Sequence, residues 1–341
     1  MSDSVRVAGI DCGTNSIRLM IADVNADGLH VVFPKRLDVV RLGEGVDRTH
    51  RFSPAALERT FAACRDYARL IEQYRADTVC FVATSASRDA QNRQDVEDGV
   101  ERILGVQPRI ISGQTEARLS FLGATSVMNA RQRADASPVL VIDLGGGSTE
   151  LVLGGAGQRC DEIQASVSMD IGCVRISERH LPSDPPTEQE IAAAVEDIDS
   201  HLRQALETVP LGKARTVIGV SGTVTTMSLI ALGEHAYSRH RVDGAIIGFG
   251  PASDACRLVA GLSRAGMEEY PVIHPDRRDV VIGGSLIWSR LLACLSEETA
   301  KDGQRVDSYI ASEKGLLEGA VLETGWRLLQ DRAAGLSAIA D

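Results

Sequence analysis

The sequence is poor in lysine, in aromatic residues and in long apolar runs. Four of the 36 basic residues are lysines, which leaves 32 arginines, and aromatic residues make up 4% of the chain. Aliphatic and alanine side chains must therefore fill most of the core. No apolar run approaches the length of a membrane span, and the polar N-terminus leads directly into an apolar segment instead of a signal peptide. We expect a cytoplasmic protein that does not associate with membranes.

Closely paired cysteines and a nucleotide-binding lysine loop are also missing. The seven cysteines are scattered and form no CxxC pair. Disulfide frameworks and cysteine metal clusters need closer spacing, so reduced thiols are the better interpretation. The sequence contains no GxxxxGK[ST] motif, which excludes a P-loop NTPase.

The charge balance disfavours a general nucleic-acid-binding protein. The formal net charge is -11, so a polyanion would be repelled overall and would have to bind at local patches. Arginine presents a planar fork that suits phosphate oxygens. A compositional bias of the genome is the alternative explanation for the high arginine count.

One pattern occurs twice along the chain. The apolar segment Val5 to Ile10 ends at Asp11 in a small polar turn and resumes as a second apolar segment, which predicts a β-hairpin. The same pattern returns at Asp143, 132 residues later. Such a repeat indicates two similar domains. We place them at residues 1–125 and 126–341, with the C-terminal helix able to pack back onto the first. The polar stretch 129–138 is the predicted connection.

Both turns are candidate phosphate-binding loops. Small residues let backbone N–H groups point into one space, and hydroxyl groups add further donors. An ordinary hairpin is the alternative for either turn alone. The candidates are Gly13, Thr14, Asn15, Ser16 and Arg18 in the first turn, and Gly145, Gly146, Gly147 and Ser148 in the second.

Asp11 and Asp143 are candidate ligands for a magnesium ion, because hard cations prefer carboxylate oxygen. The alternative is that each aspartate only caps its own turn through a side-chain hydrogen bond.

Three further segments follow predicted strands. Ser85 and Arg88 form a candidate phosphate contact or a simple strand-to-helix cap, and Ser221, Gly222 and Thr223 form a glycine-containing anion loop. Glu116 precedes a helix; a glutamate among phosphate donors could deprotonate water, and a phosphate-rich substrate would raise its pKa. The alternative is a first-turn glutamate that the helix dipole favours.

Together these segments resemble the exopolyphosphatase/guanosine pentaphosphate phosphohydrolase family in its short, two-domain form. The resemblance spans nearly the whole chain in the family's order, and its most specific part is the stretch from Asp143 to Glu150. The other matching segments are residues 9–18, 83–86, 111–117, 172–175, 184–187, 222–223 and 278–284.

The resemblance implies an α/β fold of two ribonuclease-H-like domains of the actin/hexokinase/Hsp70-like superfamily, with the active site in the cleft between domains. It implies attack of water on a terminal phosphorus, assisted by Mg²⁺ or Mn²⁺, and a homodimer. By position, Glu116 resembles the water-activating base of the family, and Asp143 and Glu150 resemble its acidic partners.

The expected function is therefore that of an exopolyphosphatase, a hydrolase of phosphoanhydride bonds. Larger family members carry an additional C-terminal helical region that helps to bind long chains, and this sequence ends at Asp341 without room for it. We therefore expect short inorganic polyphosphate as the substrate. Conversion of guanosine pentaphosphate to guanosine tetraphosphate is the alternative. A kinase of the same superfamily and a catalytically silent polyphosphate sensor are alternatives of other classes.

Overall fold

The computed structural model describes residues 4–128, 138–155 and 163–340. Contacts divide the chain into two compact units, one made of residues 1–112 and 316–341 and the other of residues 113–315. Within the described residues, no helix combines the length and the apolar character that crossing a membrane requires.

The first unit contains a five-stranded sheet with the order β3-β2-β1-β4-β5. Strands β1, β2 and β3 are antiparallel, whereas β4 and β5 continue the sheet in parallel to β1. The strands are β1 (Val5–Cys12), β2 (Ser16–Asn25), β3 (Gly28–Val39), β4 (Thr78–Ala83) and β5 (Arg109–Ile110). The helices are α1 (Val46–Thr49), α2 (Pro54–Tyr74), α3 (Ser85–Asp89), α4 (Arg93–Leu104) and the C-terminal α12 (Leu316–Ala340).

The second unit repeats this strand order as β8-β7-β6-β9-β11 and adds β10 beside β11. The strands are β6 (Val139–Leu144), β7 (Thr149–Gly154), β8 (Ile163–Met169), β9 (Thr216–Val220), β10 (Ile246–Gly248) and β11 (Ser308–Ser312). The helices are α5 (Gly113–Ala124), α6 (Cys173–His180), α7 (Glu188–Thr208), α8 (Gly222–Ala231), α9 (Arg239–Val242), α10 (Phe249–Ala260) and α11 (Val281–Lys301).

The duplication predicted from the sequence is confirmed down to the strand register. Asp11 lies opposite Arg18 in the β1–β2 ladder and opposite Val82 in β4. Asp143 lies opposite Glu150 in the β6–β7 ladder and opposite Val220 in β9. The two aspartates therefore occupy equivalent positions, and Arg18 corresponds to Glu150. This topology, repeated in both units, confirms the expected α/β fold of two ribonuclease-H-like domains.

The division of the chain differs from the predicted boundary between residues 125 and 126. Helix α5 belongs to the second unit, because Ala117 and Phe121 share an apolar cluster with Val141 and Val152 of its sheet. The predicted connection, residues 129–138, lies outside the described residues except for Pro138.

Helix α12 packs on β1 and β2 of the first unit. At Gly9 the two elements approach so closely that a Cβ atom would lie 2.3 Å from Val321 Cγ2 and 3.0 Å from Leu317 Cδ1. A side chain at Gly9 would therefore push the helix away from the sheet.

We predict that Gly9→Ala destabilises the protein by about 1–3 kcal/mol, because the new methyl group overpacks the buried contact with Val321. Gly250→Ala is the matched control, since a Cβ atom there meets nothing within 4 Å. Urea unfolding followed by circular dichroism measures both. Adding Val321→Ala to Gly9→Ala should restore part of the loss; equal stability of the two single variants would contradict the packing argument.

Candidate active site

Three acidic side chains of the second unit form one cluster. Asp143 and Glu150 stand opposite each other where β6 and β7 meet their turn. Glu116 lies in the first turn of α5, which packs on β6, β7 and β8. Glu150 and Glu116 are 1% and 7% exposed. The structure thus brings together the three residues predicted to be catalytic.

Two serines that were not predicted from the sequence hold these carboxylates. Ser120 Oγ donates a 2.6 Å hydrogen bond to Asp143 Oδ2, and Ser168 Oγ donates a 2.7 Å hydrogen bond to Glu150 Oε1. Ser168 lies opposite Glu150 in the β7–β8 ladder. Ser120 follows Glu116 by four residues, about one helical turn, and this spacing is the only feature of the sequence that could have indicated Ser120.

Like charge and burial together change the ionisation of Glu150. Burial raises the pKa of its carboxyl group well above the ordinary value, and the negative charges of Glu116 and Asp143 raise it further. Hydrogen bonds from Ser168 and Ser148 act in the opposite direction. The cluster therefore favours a proton or a bound cation, either of which offsets the repulsion.

The carboxylates fit a magnesium ion that takes few protein ligands. No three His, Cys, Asp or Glu side chains in the described ranges are arranged to hold a metal ion together. Mg²⁺ usually takes one or two carboxylates and completes its shell with water and substrate phosphate. Asp143 and Glu150 are both acidic and lie opposite each other, so they could supply these one or two carboxylates.

The turn between Asp143 and Glu150 has its carbonyl groups anchored on one side. The Gly145 and Gly146 carbonyl oxygens accept hydrogen bonds from Cys173 N (3.0 Å) and Val174 N (2.9 Å) at the start of α6. Arg175 Nε donates to the Gly147 carbonyl oxygen at 2.8 Å. In a trans peptide the N–H points away from the C=O. Three consecutive N–H groups, those of residues 146–148, therefore point away from α6, as in an anion-binding nest.

The turn of the first unit, residues 13–16, has its carbonyl groups held by hydrogen bonds in the same way. Gly13 N donates to the Ser16 carbonyl oxygen at 3.0 Å, as Gly145 N does to that of Ser148 at 2.9 Å. The Thr14 carbonyl accepts from Gly43 N, and the Asn15 carbonyl accepts from residues 40 and 41. The N–H groups of Asn15 and Ser16 consequently point away from the segment 40–43, which sequence reasoning had not connected with the turn.

The predicted metal ligand Asp11 is in an ion pair. Arg18 Nη1 lies 3.2 Å from Asp11 Oδ2, and the carboxylate is buried while the arginine is partly exposed. The guanidinium group supplies positive charge next to this carboxylate. At the equivalent place in the second unit stands Glu150, so the two aspartates lie in opposite electrostatic surroundings.

Ser85 and Arg88 make contacts within the first unit. Ser85 Oγ and Thr14 Oγ1 are 2.9 Å apart and buried, so one hydroxyl donates to the other. Arg88 Nη1 donates to the Ile111 carbonyl oxygen at 2.9 Å and ties α3 to the chain after β5. Both contacts tie these side chains to the first unit's own framework.

The third loop begins helix α8. Ser221 Oγ accepts a hydrogen bond from Val224 N at 3.4 Å, and Ser221 adopts φ 123°, a strained value for a residue with a side chain. The Arg277 guanidinium lies against Gly222, where a Cβ atom would be 1.3 Å from Nη1. Thr223 is buried and bonds to Cys173. Arg277 thus adds a cation that sequence reasoning did not assign to this loop.

Neither buried thiol near these turns suits nucleophilic attack. The spacing CxxxxxR of cysteine phosphatases occurs at Cys12–Arg18 and at Cys173–Arg179. Burial raises the pKa of Cys12 well above its ordinary value and also raises that of Cys173. Since the thiolate is the nucleophile, these environments disfavour a cysteine phosphoenzyme.

Comparison with known proteins agrees with the fold. Residues 20–324 match the Ppx/GppA phosphatase family. The chain is 41% identical over 326 residues to "Exopolyphosphatase 2" of Mycobacterium tuberculosis, covering 93% of this chain and 98% of that protein. It is 32% identical over 234 residues to a guanosine-5'-triphosphate,3'-diphosphate pyrophosphatase of Aeromonas salmonicida, covering 69% of this chain and 45% of that protein.

A comparison with solved structures also finds a similar protein. The crystal structure of an exopolyphosphatase-like protein, 54% identical in sequence, matches with a TM-score of 0.92 and covers 96% of this chain and 99% of its own. The match to the family runs from within β2 into α12 and thus includes the whole carboxylate cluster. The chain belongs to the Ppx/GppA phosphatase family.

Proposed function

We propose that this chain is an exopolyphosphatase, which hydrolyses the terminal phosphoanhydride bond of inorganic polyphosphate by attack of water. The observation that carries this proposal is the cluster of the buried Glu116 and Glu150 with the half-buried Asp143, directly beside a turn whose N–H groups at residues 146–148 point away from α6. Such a turn suits phosphate oxygens, and the carboxylates suit water and a cation.

In this proposal Glu116 acts as general base. Its carboxylate accepts a proton from the attacking water as the oxygen bonds to the terminal phosphorus, and the bond to the bridging oxygen breaks. The products are inorganic phosphate and a chain that is one unit shorter. Phosphoryl transfer depends mainly on positioning and charge stabilisation, which the N–H groups of residues 146–148 provide.

Asp143 and Glu150 are the residues that would hold Mg²⁺, and the ion would neutralise charge on the phosphate oxygens. The raised pKa of Glu150 supports this assignment, because burial and, after it, the negative charges of Glu116 and Asp143 disfavour the ionised carboxylate, and a bound cation offsets both effects. Asp11, also predicted as a ligand, contributes instead through its ion pair with Arg18. The homodimer stays a prediction of the family resemblance.

The turn of the first unit is proposed to bind further phosphate groups. Its N–H groups at Asn15 and Ser16 have the same orientation as those of the second turn, and Arg18 adds a partly exposed guanidinium. Arginine binds phosphate oxygens in a bidentate manner. Ser85 supports this turn through its hydrogen bond with Thr14.

The alternative substrate is guanosine pentaphosphate, which presents a terminal phosphoanhydride to the same groups. Phosphate release from short polyphosphate and from guanosine pentaphosphate, measured side by side with Mg²⁺, tests the proposal. We expect faster release from polyphosphate. Faster release from the nucleotide would replace the proposed substrate, and phosphate transfer from ATP to an acceptor would indicate a kinase.

Glu116→Gln should lower kcat for polyphosphate hydrolysis by about 10²–10⁴-fold, because it removes the base and keeps the shape. KM should change little, since binding depends on the turns. Glu188→Gln is the matched control, because Glu188 also lies in the first turn of a helix but is exposed. If both variants kept wild-type kcat, Glu116 would only stabilise its helix.

Glu150→Gln should lower kcat and yet raise the melting temperature at pH 8 relative to the wild type. The folded-state pKa of Glu150 is raised, so the folded protein holds a proton that the unfolded chain releases. The contribution of Glu150 to the free energy of unfolding of the wild type is therefore present at low pH and is lost as the pH rises through the folded-state pKa.

The stabilisation by Glu150→Gln should accordingly be larger at pH 8 than at pH 5, as measured by thermal unfolding at both pH values. Glu207→Gln, at an exposed position on α7, serves as the comparison. A variant that is equally or less stable than the wild type at pH 8 would refute the proposed charge repulsion.

A further inference from the structure

We infer that Ser120 is a positioning residue for hydrolysis, which fixes the carboxylate of Asp143 relative to Glu116. The inference rests on the proposed function for the identity of the reaction. The contact between the two residues does not depend on that function: Ser120 Oγ donates a 2.6 Å hydrogen bond to Asp143 Oδ2.

The hydroxyl of Ser120 departs from the usual behaviour of a serine within a helix. Such hydroxyls commonly bond to a carbonyl oxygen of the preceding turn. In the 3-10 turn directly after α5, Thr125 donates to the Phe121 carbonyl oxygen at 2.9 Å, and Ser126 donates to that of Gly123 at 2.6 Å. Ser120 instead donates to a carboxylate on another element, although it is fully buried in an apolar stretch.

The helix places this donor and the base on one face. Ser120 follows Glu116 by four residues, so both side chains project from the same side of α5. The hydrogen bond therefore links the helix that carries Glu116 to the strand that carries Asp143. A rotation of the Asp143 carboxylate would break this bond, so its two oxygens are held in fixed directions.

The surroundings of the bond make it strong. A Cβ atom at Gly315 would lie 3.5 Å from Ser120 Oγ, 3.7 Å from Asp143 Oδ2 and 2.6 Å from Val220 Cγ1. The backbone at residue 315 thus packs against the pair at a distance that only glycine allows. The Ser120 hydroxyl is fully buried and Asp143 is half-buried, and a hydrogen bond to a charged group is stronger than one between neutral groups.

Ser120→Ala tests the inference, and Thr125→Val, in the turn directly after α5, is the matched control, because it removes a buried hydroxyl that bonds to backbone carbonyl oxygens. We expect Ser120→Ala to lower kcat for short polyphosphate by about 10–100-fold with little change in KM. Thr125→Val should lose stability and retain kcat. A kcat of Ser120→Ala within twofold of the wild type would overturn the inference.

A second pair of variants separates action through Asp143 from a general structural effect. In the Asp143→Asn background, Ser120→Ala should cause less than a threefold further loss of kcat, because the two changes remove one interaction. The same 10–100-fold loss in both backgrounds would overturn the inference.

Magnesium binding without substrate provides a readout that does not need turnover. By calorimetry we expect Mg²⁺ to bind Ser120→Ala about 10-fold more weakly than the wild type or Thr125→Val. If the wild type released no phosphate from polyphosphate, the proposed function would fail, and this titration would still decide the role of Ser120. Equal Mg²⁺ affinity of all three proteins would then overturn it.

Discussion

The second unit depends on one electrostatic constraint: Glu116 and Glu150 are buried, and the half-buried Asp143 lies beside them. Burial alone disfavours the charge of Glu150, and Glu116 and Asp143 add to that cost. Buried ionised groups persist only when hydrogen bonds or counter-charges compensate them. The hydroxyls of Ser120 and Ser168 supply part of this compensation. A proton or a cation must compensate the rest of the negative charge, so the ionisation of the cluster depends on what binds beside it.

Backbone orientation provides the complementary positive potential. In both units a short turn follows the strand-end aspartate, and neighbouring backbone N–H groups hold its carbonyl oxygens. The turn is thereby prevented from rotating its peptides, so its N–H groups keep their direction without any substrate. Such fixed donors need no reorganisation when negative charge develops on a phosphate. Local positive potential can therefore exist in a protein of net charge -11.

Much of this arrangement could be predicted from local sequence. The repeated apolar segment, aspartate and small-residue turn fix the hairpins, and the equivalence of Asp11 and Asp143 follows from the repeat. The partners of the carboxylates could not be predicted, because Ser168 meets Glu150 only through the strand register, and Ser120 meets Asp143 only after α5 packs on the sheet. The inclusion of α5 in the second unit could not be predicted for the same reason, since its apolar side chains gain their partners only in tertiary structure.

The ladder position opposite the aspartate distinguishes the two halves. In one half it carries Arg18 and in the other Glu150, on otherwise matching strands. The residue at this one ladder position therefore decides whether the aspartate faces a counter-charge, as Asp11 does, or a like charge, as Asp143 does. The five strands that frame the position have the same order in both units. Two equivalent frames thus acquire opposite local charge through the partner of one aspartate.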